Sequence, residues 1–270
     1  MAKLKILAIG NSFSVDAMEH LFKVALAYGY KQEDIILGNL YIGGCSLERH
    51  YNNISENLPA YEYFKNTANE WVNTPETTLL TGLLDEEWDY ITMQQVSQCS
   101  GLTDTFEPYL SELIKYVNEN KLNKSATLLW HSTWSYAKDS THGGFAHYNN
   151  DQQLMYEKIL NAAEHIKASY PAFSEVIPSS VAITNARGKI GDYLNRDGFH
   201  LDLNHGRLTA ALTWFSKITG TDLENIIDDT ELLEICKDGV TTLNEKGVDI
   251  TPEKLLETLI KSAKNAVSVT

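Results

Sequence analysis

Asp197-Gly198-Phe199-His200 sets a carboxylate and an imidazole three residues apart, in a turn-like stretch between Arg196 and a helical pattern. At that spacing both side chains can meet on one side of a single turn. The carboxylate then fixes the ring and stabilises the imidazolium, while the other ring nitrogen takes a proton from a hydroxyl. Near the start of the chain, Ser12 stands in Gly10-Asn11-Ser12-Phe13-Ser14, two residues past an apolar run and at the mouth of a helical pattern. A helix N-terminus offers unpaired N–H groups and a positive dipole end. A serine there can act as a nucleophile whose own N–H faces a developing oxyanion, or it can simply cap the helix. Gly43-Gly44 could free a backbone N–H for the same oxyanion, and Gln94, Gln95, Ser97 and Gln98 form a dense set of uncharged polar groups. Taken singly, each has an ordinary reading as a surface turn, a cap, a tight turn or a polar strand end. Their order along the chain is what gives them weight.

The elements that must position these residues alternate between strand and helix patterns. Met1 to Gly10 has a basic start and an apolar run too short for a signal-peptide core, so Leu4 to Ile9 reads as a buried first strand. Apolar residues at helical spacing follow from Ser14 to Tyr28, with Ser14 or Asp16 able to cap the start. Further strands are expected at Asp34 to Tyr41, Trp88 to Met93, Ala126 to His131 and Ser174 to Ile177. Helices are expected at Pro108 to Asn118, Gln152 to Ala168, Ser179 to Ile190 and Asn204 to Thr219. Glu48 to Thr78 reads as helical pieces and loop, and Ser132 to Asp151 as a loop. This alternation predicts an α/β fold: a doubly wound, flavodoxin-like parallel sheet of about five strands with helices on both faces. Residues 1–220 form that domain, and residues 221–270 a helical C-terminal extension packed on it, its last helix opened by Thr251-Pro252-Glu253. In such sheets the site lies beyond the carboxyl ends of the strands, where Ser12, Gly44 and the Gln94–Gln98 run all fall.

Composition narrows the partners. Lys and Arg number 22 against 36 Asp and Glu, a formal net charge of -14, which disfavours nucleic acid and anionic membrane surfaces. The three cysteines, Cys45, Cys99 and Cys236, form no CxxC pair, so neither a disulfide framework nor a structural zinc site is expected. That fits a cytoplasmic location for the sequence as it stands, or an exported one if a leader is removed. No window approaches a transmembrane helix in length. The Gly-x-Ser-x-Gly elbow, HExxH, Walker A and dinucleotide fingerprints are missing from the sequence.

Together these blocks resemble the SGNH (GDSL-like) hydrolases. Lys5 to Gly10 followed by Asn11-Ser12-Phe13-Ser14 resembles their Gly-Asp-Ser-x-Ser block, with Asn11 in place of Asp. Ile42-Gly43-Gly44-Cys45-Ser46 resembles the block that carries an oxyanion glycine, and Asp197-x-x-His200-Leu201 the last block. The third block departs from the usual Gly-x-Asn-Asp. Ungapped counting from Asp89 puts Gln98 at the Asn, and a small shift gives Ser97 or Gln95. The match spans roughly residues 4 to 203 and looks like a divergent bacterial branch. The resemblance implies a serine ester hydrolase with Ser12 as nucleophile, His200 as general base, and Asp197 orienting His200. Ser12, Gly44 and Gln98 (or Gln95 or Ser97) would bind the oxyanion, with no metal and no cofactor.

A small-molecule or glycan ester is the expected substrate, and removal of a short, acetyl-like group the expected reaction. His131, Trp134 and Tyr136 are candidates for a substrate platform, because exposed aromatics stack on sugar faces; a packed loop cluster is the other reading. A zinc site built on His142 and His147 lacks recognised spacing. His205 reads as helix-start chemistry, and Arg49 and His50 as surface groups. The alternatives are a non-catalytic glycan-binding protein on the same fold, and a thioesterase or lysophospholipase needing a long apolar groove.

Overall fold

The computed structural model describes residues 3–223, 226 and 228–270. Met1 and Ala2 of the opening stretch, and Glu224, Asn225 and Ile227 of the C-terminal segment, lie outside the described residues. In chain order the elements are β1 (Leu4–Gly10), α1 (Ser12–Met18), α2 (Leu21–Ala27), β2 (Ile35–Tyr41), α3 (Leu47–Ser55), β3 (Tyr61–Asn66), β4 (Trp71–Thr77), α4 (Leu79–Leu84) and β5 (Tyr90–Met93). There follow α5 (Tyr109–Asn120), β6 (Thr127–His131), α6 (Gln152–Ser169), β7 (Phe173–Ile177), α7 (Ser179–Ile190), α8 (His205–Thr219), α9 (Thr230–Glu245) and α10 (Pro252–Ser268). Contacts divide the chain into two units. The first comprises Met1–Val15, Lys31–His131 and Lys158–Val176, and the second Asp16–Tyr30, Ser132–Glu157 and Ile177–Thr270. This division follows a different line from a boundary at residue 220.

The first unit is built on a mixed sheet ordered β4-β3-β2-β1-β5-β6-β7. β1 pairs in parallel with β2 (Leu4 beside Ile35) and with β5 (Ile6 beside Tyr90), and β5 in parallel with β6 (Tyr90 beside Thr127). Taken without β3 and β4, the strands run in the 2-1-3-4-5 order of flavodoxin-like sheets. β1 is buried along nearly its whole length, as a central parallel strand must be. Leu7, Ile9, Leu40, Trp88, Ile91, Met93, Phe106, Leu110 and Trp130 build the core around it.

The sheet has seven strands, not about five. The extra pair is the β3–β4 hairpin, antiparallel within itself and to β2, inside the stretch read as helical pieces and loop. β3 buries Tyr61, Tyr63 and Asn66, while β4 is a polar edge strand exposed from Val72 to Glu76. An edge strand with no core face carries no alternation to read, and Pro75 is tolerated there because an edge N–H need not pair. Lys65 on β3 bonds Asp85 (2.8 Å) and Glu86 (2.9 Å), and Lys5 on β1 also reaches Glu86 (2.8 Å).

The second unit is helical. α8 is buried at twelve positions, and α10 lays Leu255, Leu256, Leu259, Ile260 and Ala263 into the interior. α10 packs on α7, α8 and α9, so residues 229–270 share this unit with α7 and α8. Asp229 caps α9 through Leu232 N–H, and Thr251 caps α10 through Lys254 N–H with Pro252 in the first turn. The single helix expected from Ser14 to Tyr28 is two, α1 and α2, broken at Glu19 and His20. His20 Nε2 lies 2.9 Å from Leu203 O, and burial lowers its pKa to about 4. The apolar spacing runs straight through this break and hides it. No helix among the described residues is long and apolar enough to cross a membrane.

Gly38 on β2 permits a close approach that the core needs. A Cβ there would lie 2.7 Å from the Trp88 ring and 3.0 Å from Leu7 Cδ1. Trp88 cannot swing away easily, because its ring N–H donates to Gly82 O at 2.9 Å. Gly38→Ala is therefore expected to destabilise the protein by about 1–3 kcal/mol. The measurement is urea unfolding, with a lower midpoint and an unchanged slope. An unchanged midpoint would contradict the packing described.

Candidate active site

At the carboxyl end of β1 the chain turns through Asn11 into α1, which Ser12 opens. Asn11 Oδ1 accepts from Phe13 N–H (3.0 Å), an Asx arrangement that caps the helix and leaves Ser12 half-buried in its first turn. Gly10 is required by crowding: a Cβ there would meet Ser14 Oγ at 2.4 Å and Gln94 at 3.3 Å. Ser14 Oγ lies 2.7 Å from Asn11 O and 3.0 Å from Asn39 Oδ1, fixing the turn from the β2 side.

Asn11 is also the middle of a longer chain of buried groups. His131 Nδ1 lies 2.7 Å from Gln94 Oε1, Gln94 Nε2 donates to Asn11 Oδ1 (2.8 Å), and Asn11 Nδ2 donates to Cys45 O (3.1 Å). The polarity runs one way, since an amide oxygen must accept and an amide nitrogen must donate. Burial lowers the His131 pKa to about 3, so this ring is neutral and donates through Nδ1. The chain links the ends of β6, β5 and β1 to the loop after β2.

That loop turns at Ile42 to Cys45, with Cys45 N–H bonded to Ile42 O (3.1 Å). Gly44 sits in the left-handed region (φ +61), exposed, with open space where a Cβ would stand. Among the described residues, no hydrogen bond engages its N–H. Burial pushes the adjacent Cys45 thiol up to about 12, so it is no competing nucleophile. Of the polar residues after β5, Gln94 belongs to the chain above. Gln95 is equally committed: Oε1 accepts from Leu47 N–H (3.0 Å) and Val96 N–H (2.8 Å), and Nε2 faces Thr105. Ser97 is buried in a short 3-10 turn. Gln98 in the same turn is half-buried, and its side chain makes no hydrogen bond among the described residues.

The second unit holds the Asp-x-x-His turn. His200 Nδ1 lies 2.6 Å from Asp197 Oδ2, while Asp197 Oδ1 accepts the N–H groups of His200 (2.8 Å) and Phe199 (3.2 Å). Burial acts to raise the Asp197 pKa, but the hydrogen bonds from the His200 ring and from these two N–H groups outweigh it and hold the carboxyl below its ordinary value. Gly198 (φ +88) passes so close to Ser140 that a Cβ would lie 2.9 Å from Ser140 Cα. The turn is held by Ala137 N–H to Gly198 O (2.8 Å), and by Trp134 Nε1 (2.8 Å) and Asn195 Nδ2 (3.0 Å) to Phe199 O. Asn195 is fixed in turn by Arg187, whose Nη2 lies 2.6 Å from its Oδ1.

This corrects the platform reading. Trp134 and Tyr136 are wholly buried and His131 is 1% exposed, so none of the three offers a face to a sugar. Trp134 and Tyr136 pack behind the Asp197–His200 turn, Tyr136 against the rings of His142, Phe145 and Phe199, and His131 serves the amide chain. His50 is likewise no surface group. It is fully buried, its Nδ1 is 2.8 Å from Tyr61 Oη, and burial lowers its pKa to about 3.

Asp-x-x-His spacing recurs at Asp139–His142 and at Asp202–His205. Geometry separates Asp202–His205 from Asp197–His200. His205 is wholly buried, with Nδ1 2.8 Å from Asp202 Oδ1 and Nε2 2.8 Å from Tyr193 O. With an oxygen close to each nitrogen and the whole ring enclosed, His205 offers no face to a substrate. It locks the start of α8.

The residues 5–232 match the family model described as "Domain of unknown function (DUF4886)". The chain belongs to this family. A DUF4886 family protein of Bacteroides uniformis is 40% identical, with 98% of this chain and 95% of that one covered and a TM-score of 0.84. A protein of Slackia heliotrinireducens described as a candidate SGNH hydrolase aligns over 79% of this chain and 98% of its own at 19% identity, TM-score 0.52. An acetylxylan esterase of Geobacillus stearothermophilus aligns over 79% of this chain and 94% of its own at 10% identity, TM-score 0.50. This DUF4886 chain therefore shares its fold with these hydrolase structures. A comparison with curated proteins gives no significant match.

In this DUF4886 protein the amide at residue 11 has a defined reason. A carboxylate there would set an acceptor against Cys45 O and bury a charge. Asn11→Asp is expected to cost about 2–4 kcal/mol at neutral pH. The buried Asp would have a folded-state pKa above its unfolded value, so its protonated form restores the donor to Cys45 O at low pH. The deficit against the parent protein should be smallest below the unfolded Asp pKa of about 4 and grow as pH rises through the folded value. Urea midpoints for both proteins between pH 4 and pH 8 check this; a gap that is constant or narrows toward alkaline pH would refute the role given to Cys45 O.

Proposed function

We propose that this protein is a serine ester hydrolase that removes a short, acetyl-like acyl group from a carbohydrate or small-molecule ester. The observation that carries the reading is the Asp197–His200 pair: a 2.6 Å contact to Nδ1, with the same carboxylate anchored by two backbone N–H groups. That arrangement fixes the tautomer that presents Nε2 as a base. Ser12 at the opening of α1 supplies the hydroxyl. Its support is the position beyond β1 and the Asn11 cap, together with the match of both blocks to the fold's known order.

In the proposed reaction His200 Nε2 takes the Ser12 proton as Oγ bonds to the ester carbonyl carbon. The carbonyl electrons move to oxygen, which the N–H groups of Ser12 and Gly44 and the Gln98 amide receive. The intermediate collapses by breaking the bond to the alcohol, and His200 returns the proton to that oxygen. Water, deprotonated by His200, then releases the acid and regenerates Ser12. Asp197 stays ionised throughout and stabilises the imidazolium. Among the third-block alternatives Gln98 is preferred over Gln95, whose amide already serves Leu47, Val96 and Thr105.

The test is hydrolysis of 4-nitrophenyl acetate and of acetylated xylo-oligosaccharide by the whole chain. Ser12→Ala and His200→Ala are each expected to lower kcat/KM by at least about 10³-fold, and Gln98→Ala by about 10²-fold. A serine-directed phosphonate should modify the parent protein at Ser12 and leave His200→Ala far less labelled. Undiminished turnover in both the serine and histidine variants would end this proposal.

A further inference from the structure

Asp16 is a carboxylate with no exposed surface, one helical turn past Ser12 on α1. Its four contacts all lead to the residues around His200 or to α8. Oδ2 accepts the N–H of Leu201, the residue after His200, at 2.8 Å. Oδ1 accepts from Arg196 Nη1 at 3.0 Å and from Arg207 Nε at 2.9 Å. Arg196 Nη1 donates as well to Leu201 O, and Arg196 N–H bonds His200 O at 3.0 Å. A bridge between Asn195 and Leu201 closes this small loop. The backbone on either side of the histidine is thus clamped to one buried charge.

A helix cap or a solubility role does not account for such a group. A mid-helix carboxylate removed from water must be paired and hydrogen-bonded to persist. Here both oxygens are engaged, and the partners they select are the Leu201 peptide N–H and two guanidiniums, of which Arg196 also holds the backbone beside residue 200. Asp197 sets the rotation of the imidazole; Asp16 sets the position of the backbone that carries it.

We propose that Asp16, acting through Arg196 and Leu201, is a positioning residue for His200. The inference rests on the hydrolase reading for its kinetic consequence but not for its structural one. A displacement of the base by about 1 Å can cost on the order of 10²-fold in rate, so Asp16→Asn is expected to lower kcat by about 10- to 100-fold with KM little changed. Asn keeps one oxygen for Leu201 N–H but gives up the charge that holds both arginines. Arg196→Met should act in the same direction.

The experiment pairs those kinetics with proton NMR of the full chain. The short Nδ1–H bond to Asp197 should give a far-downfield resonance, assigned by its loss in Asp197→Asn. In Asp16→Asn and Arg196→Met this resonance is expected to broaden or shift upfield. Gly38→Ala serves as the control, losing stability in the sheet while leaving the resonance and kcat at parent values. If both anchor variants keep the parent resonance and differ from the parent only in thermal midpoint, as the control does, Asp16 is a folding anchor and the proposal fails. If one variant does not fold, the other decides. Should the parent chain hydrolyse no ester, the hydrolase reading falls alone and the resonance still judges the role of Asp16.

Discussion

The first unit depends on a file of buried amides. His131, Gln94 and Asn11 pass hydrogen bonds in one direction from the end of β6, across β5 and β1, to Cys45 O beyond β2. Four chain segments that van der Waals packing alone would hold loosely are put into register by groups that each have a single allowed polarity. An unmet member would cost about 1–3 kcal/mol, which is why such a network is satisfied throughout or not tolerated. Because Asn11 also caps α1, the geometry of the serine turn is set by the same bonds that tie the strand ends together.

The second unit solves a similar problem with different materials. A turn carrying Asp197 and His200 is intrinsically mobile, being short and partly exposed. It is held by backbone contacts: Gly198 O, Phe199 O and Leu201 N–H have partners from other segments, and Arg196 and Asn195 bond His200 O. The Ser132–Asp151 segment provides several of them, and its rings fill the space behind Phe199. The aromatic residues of that loop support the Asp197–His200 turn by being buried behind it.

Much of the fold was legible because parallel strands and amphipathic helices leave periodic marks. α7 and the strand ends fall where apolar spacing puts them, and the positions of Ser12 and Asp197–His200 follow from them. The β3–β4 hairpin was not legible, since β4 has no core face and so no alternation. The break between α1 and α2 was hidden because apolar residues keep helical spacing on both sides of His20. Burial of Trp134 and Tyr136 was invisible for another reason: composition shows that a loop is aromatic but not whether its rings face inward. For the third block, counting from Asp89 favoured Gln98 but left Ser97 and Gln95 open to a small shift. Only the hydrogen-bond partners of Gln94 and Gln95 show that those two are structural.

Two of the Asp-x-x-His segments make the same point about chemistry. Asp197–His200 and Asp202–His205 share spacing, lie two residues apart and precede the same helix. What differs is burial: His205 is wholly enclosed, with Tyr193 O facing its Nε2, whereas His200 is half-buried. Asp197 instead spreads its second oxygen over two backbone N–H groups in a half-exposed turn, which fixes the ring without enclosing it. A spacing motif thus states only that a carboxylate can reach an imidazole. Whether the imidazole can meet a substrate is decided by how deeply the fold buries it. That is a tertiary property, and no reading of four residues contains it.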